Sequence, residues 1–177
     1  MRALIAGVAL LALVCGCSSP ASSAPSSSPA VFDRSDPACP PLSRAAFGLP
    51  LTGSVDTDES VDGAEKFAVS CTYTGSWIPG LHTDLTIYRA SPAQADVDYA
   101  RDRSLSQDED GWDTTDISGV GDAAFVATNP DSMGLIARAR RGNAYVVAQL
   151  LLNADDVRSW KRQDVADLLN SLLAPLR

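Results

Sequence analysis

Alternation of apolar and polar positions marks five strands in the C-terminal two thirds of the chain. Phe67 to Tyr73 alternates, and Leu81 to Tyr88 repeats the pattern with Leu85 and Ile87 on one face and Thr86 and Tyr88 on the other. Gly75 to Gly80 supplies the turn between them. Ala123 to Thr128, Leu135 to Arg140 and Ala144 to Leu152 follow, the last two joined by Arg141-Gly142-Asn143, which has the residues a hairpin needs. In the last segment Val146, Ala148, Leu150 and Leu152 share one face while Tyr145, Val147, Gln149 and Leu151 share the other. Both faces of that strand are therefore expected to be at least partly covered.

The period changes in two places. Ser91-Pro92-Ala93-Gln94 combines a cap residue, proline at the first helical position and glutamine three residues after the cap, predicting a helix to about Leu105. Its stripe of Ala95, Tyr99 and Arg103, with Val97 and Ala100 nearby, is thin, which places this helix at the surface. A longer helix is predicted over Ala154–Leu173, apolar on one side through Val157, Trp160, Val165, Leu168 and Leu172. Asp155 and Asp156 suit its positive end, and Pro175 stops it. Pro41–Phe47 reads as a short helix ended by Gly48 and Pro50. Acidic loops precede Phe67 and span Asp108–Asp113, and Gly119-Val120-Gly121 reads as a tight turn. These elements predict an α+β fold: an antiparallel sheet of about five strands, with the long C-terminal helix and a shorter one packed on it.

The N-terminus carries a different pattern. Arg2, an apolar run from Ala3 to Val14 and then Val14-Cys15-Gly16-Cys17 form a signal peptide with a lipobox-like end, too short to span a membrane. Gly16 suits the cleavage position better than Val14, so Cys17 is the expected lipidation site. Ser18 to about Asp36 is rich in Ser, Ala and Pro and reads as a flexible tether with a reach of about 24 Å. The expected organisation is residues 1–16 as signal peptide, 17–36 as lipidated cysteine and tether, and 37–177 as one extracytoplasmic domain anchored to the cell membrane. The net charge is −8, and removing the signal takes Arg2 with it, leaving about −9. Nucleic acid is an unfavourable partner for such a surface.

Once Cys15 and Cys17 are set aside, Cys39 and Cys71 remain, and outside the cytoplasm they are expected to form a disulfide. Closing that loop would stabilise the fold by about 3.5–4 kcal/mol through the unfolded chain.

Catalytic and metal motifs are missing from the pattern. Registering Gly111 as the sixth residue of a calcium loop puts Ser106 first and Ile117 where a bidentate glutamate belongs, so no EF-type site is expected. No nucleophile elbow is present, and His82 is the single histidine. His82 reads best as an exposed turn residue, although in a strand it shares a face with Asp84 and that pair would touch. No cofactor, metal or catalytic residue is expected. Trp77 and Trp112 are candidate partner contacts at loop tips. Val146, Leu150, Trp160, Val165 and Leu168 are the candidate lining of a ligand pocket between sheet and C-terminal helix, or simply core. Arg138 and Arg140 share a strand face, as a basic stripe or as salt-bridge partners of nearby aspartates.

Cys17, the Ser/Pro tether, Cys39, Cys71-Thr72-Tyr73 and Gly119-Val120-Gly121-Asp122-Ala123-Ala124 occur in one order. In this the chain resembles the small lipoproteins of actinobacteria. It is similar to an uncharacterised lipoprotein domain family typical of mycobacteria, and the similarity spans about Cys39 to Leu173. The resemblance implies acylation of Cys17 and an envelope location, with a Mog1/PsbP-like sandwich as fold analogue. Extracellular sensor domains of actinobacterial receptor kinases are a second likeness. The expected role is a non-catalytic interaction or accessory module with an envelope protein as partner; the alternative is a carrier or sensor of an envelope lipid or small amphiphile.

Overall fold

A computed structural model of the chain describes residues 30–42, 55–74, 80–129, 131, 134–151 and 160–176. The five predicted segments all form strands: β2 (Lys66–Tyr73), β3 (Leu81–Tyr88), β5 (Ala123–Asn129), β6 (Gly134–Arg141) and β7 (Ala144–Leu151). Two more, β1 (Val55–Asp62) and β4 (Asp113–Asp116), lie where acidic loops were expected. Together they make one antiparallel seven-stranded sheet in the order β1-β2-β3-β7-β6-β5-β4. The two extra strands are its edges. Each is hydrogen-bonded on one side only, so neither needs an apolar run. The acidic residues that disguised them, with a bulge between Thr57 and Glu59 in β1, blunt edges that would otherwise template further strands.

Pairing register sorts the side chains into two faces. On one, Val69, Leu85, Val146, Ala139 and Ala124 form a continuous cross-strand row. Helix α2 (Arg162–Leu173) packs there through Val165, Leu168, Leu169 and Leu172, all at most 2% exposed, making the main core. This helix begins at Arg162 rather than Ala154. Lys161 has extended backbone (φ −114°, ψ 139°), which interrupts any helical run from further upstream. Residues 152–159, including Val157, lie outside the described residues.

Helix α1 (Gln94–Asp108) packs on the opposite face, so the sheet is sandwiched rather than covered from one side. It starts two residues later than the cap motif predicts, at Ala93, which makes no side-chain cap hydrogen bond. Its buried residues are Ala95, Asp98 and Ser106, whereas Val97 and Leu105 are more than half exposed. The helix is thus turned with an acidic stripe inward. The predicted helix over Pro41–Phe47 lies almost wholly outside the described residues.

The packed body reaches further toward the N-terminus than the tether composition suggests. Phe32 is 6% exposed and belongs to the core. Its N–H donates to Asn143 Oδ1 (2.7 Å), while Asn143 Nδ2 donates back to the Phe32 carbonyl (3.0 Å). Gly142, at φ +56°, lies so close to this segment that a Cβ would sit 1.8 Å from the Ala30 carbonyl oxygen. Arg89 holds the next residues, pairing with Asp33 at 2.8 Å and donating to the Arg34 carbonyl at 2.7 Å. Cys39 and Cys71 are joined by a disulfide with Cα atoms 5.9 Å apart, tying this strap to β2. Among the described residues no helix is long and apolar enough to cross a membrane.

Candidate functional site

The α1 side of the sheet divides into two halves of different chemistry. Under the helix, the inward stripe Asp98, Asp102 and Ser106 repeats every four residues and meets polar side chains from the strands. The Tyr88 hydroxyl donates to Asp98 Oδ2, and the Tyr145 hydroxyl donates to Asp102 Oδ2 at 2.8 Å. Arg138 lies with Nε 3.3 Å from Asp102 Oδ2 and donates from Nη1 to Ser106 Oγ at 3.2 Å. Burial, reinforced by the neighbouring carboxylates, pushes both phenols well above their usual pKa. Tyr99 packs edge-on against Phe125, with ring centroids 5.3 Å apart. Arg140 pairs with Asp96 and Asp122, and Arg103 pairs with Asp116. Arg138 and Arg140 therefore act as salt-bridge partners rather than as a free basic stripe.

The other half, at the end of the sheet where β3 starts and β7 finishes, is not roofed by α1. A row of side chains crosses it from Thr72 through His82 and Gln149 to Ile136. His82 is a strand residue here, not a turn residue, because the strand begins at Leu81. Its Nε2 lies 3.1 Å from Ser70 Oγ and 3.4 Å from Asp84 Oδ1; its Nδ1 lies 3.3 Å from Thr72 Oγ1 and 3.5 Å from Asp58 Oδ2. Both hydroxyls give their protons to carboxylates, Ser70 to Asp84 (2.7 Å) and Thr72 to Asp58 (2.6 Å). Each ring nitrogen thus faces a hydroxyl and a carboxylate.

Beside this cluster is a cavity of about 430 Å³, whose described lining includes Thr72, His82, Trp112, Ile136 and Gln149. Trp112 comes from the connection between α1 and β4 and forms a wall facing the His82 row. The lining is mainly apolar, with polar groups gathered at the His82 side.

The cluster resembles a Ser–His–Asp set in composition: Ser70 Oγ donates to Asp84 Oδ1 at 2.7 Å and lies 3.1 Å from His82 Nε2. Ser70 also sits inside a strand paired on both sides, so the backbone N–H groups around it serve the ladders. Asp58 and Asp84 approach opposite nitrogens of the ring, and among the described residues no group of three metal-binding side chains converges.

Of the residues singled out in the sequence, Trp112 and the His82–Asp84 pair enter this site. Trp77 and Cys17 lie outside the described residues. Val146, Leu150, Val165 and Leu168 are at most 1% exposed within the main core on the far face, with Trp160 partly buried against them; of these, Leu150 also borders the recess. Asp58, Ser70, Thr72, Ile136 and Gln149 were not anticipated. The β2–β3 hairpin register, which sets Thr72 opposite His82 and Ser70 opposite Asp84, carries that information for two of them.

No family model, curated protein or solved structure matches the chain. The functional argument therefore rests on this geometry and on the N-terminal sequence.

Proposed function

We propose that the chain is a membrane-anchored extracytoplasmic lipoprotein that acts as a non-catalytic protein-interaction or accessory module, and that its docking face is the open half of the α1 side of the sheet. The observation that carries the reading is the apolar recess between Trp112 and the His82 row, on a sheet face the helix leaves unroofed. A tryptophan wall beside half-buried polar groups is the composition of an interface hot spot. The Cys39–Cys71 disulfide supports an oxidising compartment, and the signal and Cys17 support anchoring there. Helices on both faces of an antiparallel sheet are compatible with the Mog1/PsbP-like sandwich, which we carry forward as the fold proposal.

The test is site-specific photo-crosslinking in living cells that make the full chain. A crosslinker at Gln149 is expected to capture one defined envelope protein, while the same group at Val97, on the outer side of α1, captures none. A Gln149 adduct of lipid mass would favour the carrier reading, and the absence of any Gln149 adduct would overturn the docking face.

A further inference from the structure

We propose that the Cys39–Cys71 bridge is a tension clamp: it passes load arriving through the N-terminal tether into the inside of the sheet and keeps that load off β1. This rests on anchoring of the chain through Cys17 and adds what the fold does when a docked partner and the membrane are drawn apart.

The order of attachments along the chain sets the path of the load. Coming from the tether, tension first meets Phe32 and its paired hydrogen bonds with Asn143, at 2.7 and 3.0 Å. It then meets Arg89, which holds Asp33 and the Arg34 carbonyl. These contacts lie one after another along the strap and each is weak by itself, so a pull from the N-terminus breaks them singly. Cys39 comes next, and its bond to Cys71 is covalent.

Where the bridge lands decides what is protected. Cys71 is 1% exposed and lies in β2, opposite Thr57 of β1 on one side and Thr83 of β3 on the other. Drawing it out would break two ladders together. β1 follows the strap in sequence and, among the described residues, is hydrogen-bonded to β2 alone. Without the bridge, the same tension would enter β1 at Val55 and open its pairs in turn, from Val55–Tyr73 onward. β1 supplies Asp58, which accepts from Thr72 and lies 3.5 Å from His82 Nδ1. Losing this strand would dismantle one side of the polar cluster beside the docking face. Cys39 Sγ lies 3.3 Å from Thr57 Oγ1, so the clamp closes directly against the strand it protects.

The test is optical-trap extension of the full chain in detergent, with handles joined to azido side chains placed at Ser22 in the tether and at Gln149 on the open face. With the bridge closed, the first extension is expected to stop once residues 30–38 are drawn out, a gain of about 30 Å. Opening the bridge in folded molecules with a phosphine reductant, or removing it with Cys39→Ala/Cys71→Ala, should let the first extension run through Asp62, to about 110 Å. Phe32→Ala should lower the force of the first step and leave its stopping length unchanged. A first extension of one length with and without the bridge, or one that takes in β1 while the bridge is closed, would overturn the proposal. Anchoring is read separately by metabolic labelling with an alkyne analogue of palmitate, expected on the wild-type chain and lost in Cys17→Ser. An unlabelled wild-type chain would overturn the anchoring reading and with it the load. A labelled chain whose first extension ignores the bridge would leave anchoring standing and overturn the clamp.

Discussion

The Tyr145 hydroxyl donates to Asp102 Oδ2 at 2.8 Å, joining the middle of the sheet to a helix that has no apolar stripe of its own. Asp102 also faces Arg101 on its own helix and Arg138 on β6, so one carboxylate ties α1 to two neighbouring strands. Tyr145→Phe should cost about 1–2 kcal/mol. Asp102→Ala should cost more, about 3 kcal/mol, because it strips Arg138 of its counter-charge in a nearly buried setting. Urea denaturation gives both values. Hydrogen exchange should show faster opening of α1 in each variant, with the α2 core strands unchanged; equal protection of α1 would contradict this view of how it docks.

All four tyrosines have raised pKa values, chiefly because they are buried. Burial pushes Tyr73 up to about 12, and its hydroxyl donates to the Pro40 carbonyl at 2.7 Å. Unfolded phenols titrate near pH 10. The folded state therefore keeps these protons longer than the unfolded chain, so stability is full below about pH 10 and falls as the pH rises toward 12. The tyrosinate absorbance of the folded protein should stay flat through pH 10 and then rise together with unfolding. Separate titration of even one tyrosine near pH 10, with the fold intact, would contradict its burial.

Cys39→Ala/Cys71→Ala should lower stability by about 3–4 kcal/mol, for a bridge spanning 32 residues. Adding reductant to the unmodified protein should bring its urea midpoint to that of the double variant. A reductant-insensitive midpoint would mean that the bridge does not constrain the unfolded chain.

Phe32→Ala should cost about 3 kcal/mol, as expected for truncating a buried phenylalanine. Gly142→Ala should be comparably harmful for a different reason, since the new methyl would strike the Ala30 carbonyl. Combining the two should cost less than their sum, because both release the same strap. A fully additive double variant, measured by urea denaturation, would separate the two effects.

The inner strands were legible because each is covered on at least one face and so alternates with period two. The edges were not. Glu59 and Asp62 in β1 face solvent from a strand whose outer side is unpaired, so the cue that reveals a central strand is missing there. The α1 stripe was misread for a related reason: its inward contacts are Asp98 and Asp102, whose partners Tyr88, Tyr145 and Arg138 are distant in sequence. Phe32 follows a Ser/Pro-rich stretch, and the Asn143 side chain that clasps it is 111 residues away in sequence. Trp112 was anticipated as a contact, but the polar cluster around His82 depends on β1 and on hairpin register.

The clasp between Phe32 and Asn143 also sets the compass of the molecule. It brings the incoming chain onto the body at the β6–β7 turn, whereas the Trp112 recess lies at the other end of β6, beside Gly134 and Ile136. Those eight residues span about 27 Å. On a chain anchored through Cys17, that length would set the recess about 27 Å beyond the point where the incoming chain meets the body. A partner would then meet it from the far side of the envelope, and lipid in the home membrane would lie beneath the wrong end of the molecule.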